Sequence, residues 1–300
     1  MTDEENLTDK TSTIVTYPIA AALKEAEEFV IDSSGWNPVK VIQRDFLERF
    51  YTPCREEIPT ITEIECVAHI DIEVVNKWLK EHDFDIQLDP FDENGFGAAA
   101  KLDLLGLWLV KGMQTSVVTD DGNKYPGVRM DTGFTFNTVG GSTNLVVALE
   151  TGDQDVVYLM MADKVPSGFD MVTYVEEILQ NMTPVERDYE AIVFPMIDLN
   201  EEGELDWLIN LQLMIPQDRF PFYFIQQALQ QTKLKMNQEG YRVKSVAAVA
   251  AMLGAAISEA PPYMINRPFI MWITRPGLSK PLFVAYLNTD VWKDPSGLEM

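Results

Sequence analysis

Apolar residues recur along this chain at two spacings, and the spacing changes near residue 100. Before that point, AAALKEAEEFVI, VKVIQRDFLERFY and DIEVVNKWLKEHDF carry apolar residues three and four positions apart, which predicts amphipathic helices. The first helix is expected to begin near Ile19 and the second to end at Pro53. Beyond Lys101, the near-continuous apolar run KLDLLGLWLV predicts a strand covered on both faces, and NLVVALE and VVYLMMA predict two further strands. Further helices are predicted over residues 169–181 and, as a short one, near LDWLINLQL.

Turn-forming residues separate these runs and indicate the fold class. The stretch TDDGNKYPG contains Asp-Gly and Pro-Gly turn signals, and Gly152-Asp153 joins two apolar runs in the manner of a hairpin. Strands and helices are interspersed without a regular βαβ period, so the pattern predicts an α+β protein with large mixed or antiparallel sheets. We expect a disordered acidic tail over residues 1–12 and a single domain over residues 13–300.

Composition and charge narrow the classes of partner. Of the 300 residues, 46% are hydrophobic, enough to bury a sizeable core, which excludes a disordered chain. Lysine and arginine number 23 against 47 aspartates and glutamates. The formal charge of -24 repels phosphates and anionic lipid headgroups, so neither nucleic acid nor a membrane is an expected partner. The polar first ten residues, and Cys54 and Cys66 as the two cysteines, predict a cytoplasmic or otherwise intracellular protein, the virion included.

Catalytic and metal-binding motifs are missing from the sequence. The two histidines, His69 and His82, lie in no recognisable triad motif, and no G-x-S-x-G occurs. The aspartates between residues 71 and 92 lack the spacing of a calcium loop and indicate a solvated acidic face. We therefore predict no enzymatic activity, no catalytic residue, no cofactor and no metal site.

The tract GYRVKSVAAVAAMLGAAISEAPP, residues 240–262, differs from the rest of the chain in its small residues. Alanine, glycine and serine fill about half of its positions. Two strand-like segments, ALQQTKLKMNQE and INRPFIMWITRPG, flank it. Taken alone, the tract is compatible with a small-residue helix packed in a core and also with an extended, mobile loop.

Three pieces around this tract resemble the serpins in their order and spacing. NQEG, residues 237–240, is similar to the family's hinge, an acidic stretch that closes with glycine at the end of a long central strand. NRPF, residues 266–269, resembles the strand motif that follows the reactive loop, and PLFVAYLNTDVW resembles the last core strand. Upstream, VNKWLKEH resembles the helix across the family's large sheet, and KLDLLGLWLVKG resembles the strand after it. The resemblance covers residues 64–292.

This resemblance implies a serpin-like α+β fold with a large mixed β-sheet, smaller sheets and flanking helices. Residues 1–60 match no part of the family, so the N-terminal helices are expected to be reduced or replaced. Trp108 is expected in the core. The family's usual tryptophan just after the central strand is missing, since residues 110–112 are followed by Met113-Gln114.

The resemblance also implies a mechanism of protease inhibition. A serpin offers an exposed loop, here residues 241–260, to a protease, is cut, and inserts the loop into its large sheet while still acyl-linked to the enzyme. The implied residues are the hinge Glu239, Gly240, Tyr241 and Val243; the inserting strand with Ser245, Ala247, Val249 and Ala251; and the cleavage candidates Met252, Leu253, Gly254 and Ala255. Side chains alternate across a strand, so Arg242 is expected on the opposite, outward face.

Two of the hinge residues are larger than the small residues usual there. Overpacking by Tyr241 and Val243 is expected to cost ~1–3 kcal/mol, and slower entry into the sheet would turn an inhibitor into a substrate. Two functions therefore stay open. One is a serpin-like inhibitor of a protease with elastase-, subtilisin- or chymotrypsin-like preference. The other is a non-inhibitory serpin-fold binding or structural subunit of a larger assembly, such as a virus particle, whose partner has a basic surface.

Overall fold

The computed structural model describes residues 7–91, 96–140, 144–153, 155–215, 222–243 and 261–299. The predicted inserting strand and cleavage candidates, at residues 245–255, lie outside the described residues. The chain divides into two compact units: the first is Met1–Ile14, Leu104–Leu199 and Lys233–Met300, and the second is Val15–Asp103 and Asn200–Thr232. Each unit is described by itself, and the single domain expected over residues 13–300 stays a prediction.

The described part of the chain contains five α-helices. They are α1 (Thr16–Phe29), α2 (Val41–Phe46), α3 (Thr52–Arg55), α4 (Ile72–Glu81) and α5 (Asp170–Asn181). α1 begins three residues before the expected start at Ile19. α2 continues through a π-helical stretch, Leu47–Tyr51, into α3, so the expected stop at Pro53 was wrong. The hydrogen-bond pattern changes register here, and Pro53 lies in the first turn of α3, where a missing N–H is tolerated.

Strands make up most of the remaining elements. The first eleven are β1 (Leu7–Thr8), β2 (Ser12–Ile14), β3 (Trp36–Asn37), β4 (Ile64–His69), β5 (Gly97–Leu102), β6 (Leu104–Leu107), β7 (Met113–Val118), β8 (Lys124–Met130), β9 (Phe134–Val139), β10 (Leu145–Glu150) and β11 (Val156–Met161). The others are β12 (Val165–Pro166), β13 (Met182–Pro184), β14 (Ile192–Pro195), β15 (Ile197–Glu204), β16 (Gln212–Met214), β17 (Phe222–Phe224), β18 (Leu229–Met236), β19 (Gly240–Val243), β20 (Tyr263–Met264), β21 (Phe269–Thr274) and β22 (Phe283–Leu287).

The first unit is built on a seven-stranded sheet in the order β13-β9-β10-β11-β21-β22-β2. Every described pairing in it is antiparallel, and β10 and β11 form the hairpin predicted from Gly152-Asp153. Five consecutive residues from Leu145 to Leu149 are buried, as are all five residues of β22. These two strands are therefore covered on both faces. The run at residues 101–110, predicted as one such strand, divides at Asp103 between β5 and β6 of different sheets and ends with Leu109 and Val110 exposed, so that prediction was wrong.

A second sheet of the first unit runs in the order β20-β14-β8-β7 and contains a parallel pairing, between β14 and β20. Helix α5 contacts β12, which pairs with β1. The combination of a large antiparallel sheet, a smaller mixed sheet and flanking helices confirms the predicted α+β class.

The disordered tail expected over residues 1–12 was wrong for residues 7–12. β1 pairs with β12, and β2 forms the edge of the seven-stranded sheet beside β22. The Thr11 hydroxyl donates to Asp290 Oδ1 at 2.7 Å. Backbone pairing and polar contacts order this segment although it lacks the apolar residues for a core of its own. Residues 1–6 lie outside the described residues.

The second unit packs α1 and α4 against the two-stranded sheet of β4 and β5. Asp71 caps α4, since its Oδ1 accepts a hydrogen bond from the Glu73 N–H at 3.0 Å. A three-stranded sheet, β17-β16-β3, accompanies a small core of Val30, Leu213 and Ile215. Within the described part of the chain, no helix has the length and apolar character needed to cross a membrane.

Candidate functional site

The predicted hinge lies in a strand of the first unit. We call residues 237–243 the hinge segment: it leaves β18, turns, and continues as β19, which lies between β18 and β6 in the order β15-β18-β19-β6. β19 is antiparallel to both neighbours, with Tyr241 opposite Gly106 on one side and opposite Met236 on the other. Val243 pairs with Leu104. The hinge segment has therefore entered the sheet as far as Val243.

Hydrogen bonds from the segment itself and from Trp108 fix the turn before β19. The Asn237 side chain accepts from the Glu239 N–H at 2.8 Å, and the Asn237 N–H donates to the Gly240 carbonyl at 2.9 Å. Trp108 donates twice, from its indole N–H to the Asn237 carbonyl at 2.8 Å and from its backbone N–H to the Glu239 carbonyl at 3.0 Å. Lys111 Nζ lies 2.8 Å from Glu239 Oε1 at the surface. The turn is therefore held by hydrogen bonds within the hinge segment and by hydrogen bonds from Trp108.

Glycine is required at two positions of this site because backbone and ring approach closely. A Cβ added to Gly106 would overlap the Tyr241 ring and lie 2.5 Å from its hydroxyl oxygen. A Cβ added to Gly240 would lie 2.8 Å from Leu107 Cα. Distances of this kind are not tolerated without movement of the neighbour, so Gly106 leaves the space that the Tyr241 ring fills.

Tyr241 is 0% exposed and lies on the inner face of β19. We call its surroundings the seat, made of Gly106, Trp108 and Asp155. The Trp108 and Tyr241 ring centroids are 5.7 Å apart, and Trp108 also packs edge-on against Phe194 at 6.0 Å. The overpacking expected from Tyr241 was wrong, because the glycine across from it supplies the room that a small hinge residue would otherwise supply.

An ion pair whose carboxylate is buried forms the far side of the seat. Asp155 is 3% exposed and accepts two hydrogen bonds from Arg275, at 2.8 Å from Nε and 2.9 Å from the second guanidinium nitrogen. The Tyr241 hydroxyl lies 3.5 Å from Asp155 Oδ2. Burial, followed by the charge of Asp155, raises the pKa of Tyr241 above its ordinary value of 10.0. The phenol is therefore neutral and oriented toward the carboxylate.

The outer face of β19 differs from the sequence-based expectation. Arg242 lies on the face opposite Tyr241, as alternation predicts, but it is 2% exposed instead of pointing into solvent. Its guanidinium donates to the Leu298 carbonyl at 3.0 Å. Nothing in the sequence predicted that the segment after Trp292 would cover this face.

The boundary of the predicted exposed loop, residues 241–260, was wrong at its first residues. Tyr241 and Val243 belong to β19, because pairing with β6 and burial of the ring outweigh the mobility expected after Gly240. Residues 244–260 lie outside the described residues, so the choice between a helix and a loop for them stays open. The inserting strand Ser245, Ala247, Val249 and Ala251 and the cleavage candidates at residues 252–255 stay predictions for the same reason.

Trp108 lies in the core as expected, at 4% exposure, directly after β6. It contacts the hinge segment through its ring and both of its N–H groups. The departure at residues 110–114 therefore leaves the turn before β19 supported. Among the residues the structure describes, no group of three or more histidine, cysteine, aspartate and glutamate side chains is arranged to hold a metal ion.

No protein-family model matches the sequence, and no curated protein matches it either. Solved structures do match. Serpin48, a highly specific serpin of the insect Tenebrio molitor, has a TM-score of 0.58 and 11% identity over 94% of this chain and 92% of its own. The chain has a serpin-like fold.

Two further serpin structures match at the same level. The mouse protein-Z dependent protease inhibitor has a TM-score of 0.57 and 14% identity over 93% of this chain and 91% of its own. Human thyroxine-binding globulin in complex with thyroxine has a TM-score of 0.57 and 11% identity over 93% and 91%. These matches confirm the serpin resemblance at the level of fold. Residues 61–300 make up four fifths of the sequence, so a match over 94% of the chain must also include part of the first sixty residues.

Proposed function

We propose that this serpin-like protein inhibits a protease by cleavage and sheet insertion of the tract that follows β19. The observation that carries the proposal is the position of β19, which already pairs with β6 and β18 as a strand of the sheet. Insertion would lengthen an existing strand and would not need to start a new one. The residue that argued most strongly against entry, Tyr241, is already inside the sheet and accommodated by Gly106.

The sequence beyond Val243 has the alternation that such a strand needs. Residues on the same face as Tyr241 must pass into a packed interior, and from Ser245 onward they are small or medium-sized: Ser245, Ala247, Val249 and Ala251. Each new backbone hydrogen bond contributes about 1 kcal/mol, so several such bonds would favour the inserted state by a margin that drives a large movement.

The composition of the tract indicates the class of protease. Met252 and Leu253 in an alanine-rich setting suit a protease of elastase-, subtilisin- or chymotrypsin-like preference, with the cut between residues 252 and 255. Arginine and lysine are absent from 245 to 266, which argues against a trypsin-like enzyme. One of the compared serpins is itself described as a protease inhibitor. On this proposal the chain has no catalytic activity of its own.

The first experiment mixes the full chain with elastase, chymotrypsin and subtilisin and looks for an adduct that survives denaturing electrophoresis. We expect an adduct with at least one of them. A matched pair of variants tests the mechanism: Ala247→Arg places a charge on the face that would enter the sheet, and Ala248→Arg places it on the opposite face. Ala247→Arg should be cut without forming an adduct, whereas Ala248→Arg should behave as the wild type.

The thermal stability of the cleaved protein separates the proposed function from the alternative. Insertion lengthens β19 and adds backbone hydrogen bonds to the sheet, so cleavage of the wild type should raise the melting temperature well above that of the intact chain. Cleavage by all three enzymes with no adduct and no rise in melting temperature would overturn the proposal. That outcome would favour a non-inhibitory binding or structural subunit, whose partner carries a basic surface complementary to the charge of -24.

A further inference from the structure

The segment after Trp292, which we call the strap (residues 293–299), is firmly anchored at its start. Trp292 is buried, and its ring lies 5.2 Å from Tyr125 and 6.0 Å from Phe269 in ring-to-ring contacts. Pro295 within the strap is buried as well. The strap therefore leaves the core of the first unit at a defined point and in a defined direction.

A tight turn redirects the strap before its last residues. The Ser296 N–H donates to Asp294 Oδ1 at 2.8 Å, which closes the turn. Ser296 and Gly297 have positive φ angles of 58° and 137°, a backbone conformation that residues other than glycine rarely adopt. The course of the strap beyond this point thus depends on Gly297.

Beyond the turn, the strap meets the outer face of the hinge hairpin. Arg242 on β19 donates to the Leu298 carbonyl at 3.0 Å, and Lys235 on β18 donates from Nζ to the Glu299 carbonyl. Lys235 and Arg242 are register partners, one directly across from the other. Like charges in this position repel each other and weaken a strand pair. Two carbonyl oxygens of the strap accept from these cations and offset that repulsion.

We propose that the strap is a clasp that keeps β19 in the sheet, with Arg242 as the positioning residue through which it acts. β18 and β19 share only two described register pairs, Lys235 with Arg242 and Met236 with Tyr241. The strap contacts the pair of Lys235 and Arg242 on the outer face of the sheet. The seat surrounds Tyr241, of the other pair, on the inner face. The effect on inhibition rests on the proposed function, whereas the clasp itself is a property of the folded chain.

Hydrogen exchange of the full chain, followed by mass spectrometry, tests the clasp. Gly297→Val strains the turn and should speed amide exchange of residues 241–243 about tenfold, because β19 then opens more often. Gly122→Val is the matched control: Gly122 also has positive φ, at 86°, and open space around it, but lies in the turn between β7 and β8. Equal exchange of residues 241–243 in the two variants would overturn the proposal.

A double-mutant cycle tests whether Arg242 and the strap act together. Deletion of residues 296–300 should speed exchange of the hinge segment about tenfold in the wild type. The same deletion should have a smaller effect in Arg242→Met, because the contact through which the strap acts is already gone. Independent, multiplying effects would overturn the proposal. The adduct assay gives the separate answer: exchange that responds while the wild type forms no adduct contradicts only the inhibitory function, and an adduct with unresponsive exchange contradicts only the clasp.

Discussion

The two faces of β19 hold the same strand by different means. On the inner face, Tyr241 fills a dry space that Gly106 leaves open, beside Trp108 and a buried carboxylate. On the outer face, Arg242 is equally buried but is held by a backbone carbonyl. The inner face depends on the size and shape of side chains, and the outer face depends on charge and on the path of a neighbouring segment.

From this difference we predict which substitutions each face of β19 tolerates. Burial of an aromatic ring contributes in proportion to the area removed from water and is sensitive to a single added or deleted carbon atom. A hydrogen bond to a carbonyl contributes less and can be replaced by water when the face opens. We therefore expect variants of the inner face to change stability more than variants of the outer face.

The largest effect is expected for Tyr241→Ala. Removal of a fully buried aromatic side chain leaves a cavity in the seat, and the loss should be about 3–5 kcal/mol in the free energy of unfolding, or less if β19 detaches instead. Tyr241→Phe is the control and should lose less than about 1 kcal/mol, because the hydroxyl lies as far as 3.5 Å from Asp155. Denaturant unfolding measures both. Equal losses in the two variants would show that the ring does not support the strand.

Asp155→Asn should follow, at about 3 kcal/mol. The change removes the charge partner of Arg275 from a carboxylate position that is 3% exposed, although the Arg275 side chain itself is 22% exposed. The surface pair Lys77 and Glu81 gives the comparison: Glu81→Gln should cost less than about 0.5 kcal/mol because both side chains are exposed. If Asp155→Asn and Glu81→Gln have the same denaturant midpoint, the pair of Asp155 and Arg275 does not stabilise the fold.

Gly106→Ala is expected to cost about 1–3 kcal/mol through overlap of the new methyl group with the Tyr241 ring. Gly140→Ala, where an added Cβ meets nothing within 4 Å, is the matched control and should be close to neutral. Combined with Tyr241→Ala, the cost of Gly106→Ala should shrink because the ring is gone. Thermal melts of the three variants suffice, and additive losses would argue against the size match.

Alkaline pH distinguishes the two faces of β19 because Tyr241, on the inner face, carries a phenol. Burial raises the pKa of Tyr241 above its ordinary value of 10.0. A raised pKa in the folded state means that the stabilisation is fully present below the unfolded value and is lost as the pH rises above it. The melting temperature of the wild type should therefore fall more steeply above pH 10 than that of Tyr241→Phe. Parallel curves would indicate that the phenol is accessible to water in the folded protein.

The smallest effect is expected on the outer face, for Lys235→Met. The change removes a donor to the strap but also removes the like charge opposite Arg242, and these effects oppose each other. The net change should be below about 1 kcal/mol by denaturant unfolding. A loss as large as that of Tyr241→Ala would reverse the ranking of the two faces.

The sequence predicted those elements whose signal is local. The 3.6-residue period specified α5 within one residue, and the Gly-Asp turn between two apolar runs specified the hairpin of β10 and β11. The serpin resemblance, carried by motifs near residues 237–240 and 266–269, predicted a fold that the solved structures confirm. Local patterns suffice where the partner lies close in sequence.

The seat and the strap could not be predicted in the same way. Asp155 and Arg275 are 120 residues apart, and neither has neighbours that indicate an ion pair. The stop at Pro53 was wrong because proline is tolerated in the first turn of α3. The tail was wrong at residues 7–12 because pairing with distant strands outweighed a local preference. A signal did exist for Gly106, since a glycine inside an apolar strand marks a close approach of another group.

The match between Gly106 and Tyr241 limits how this region can be exchanged with that of another protein. A transplanted segment with threonine in place of the tyrosine would leave a hollow the shape of a phenol beneath the strand. The reverse transplant, into a host with any larger residue than glycine across the strand, would have no room for the ring. Gly106 and Tyr241 are matched in size, so a successful chimera must carry both residues together.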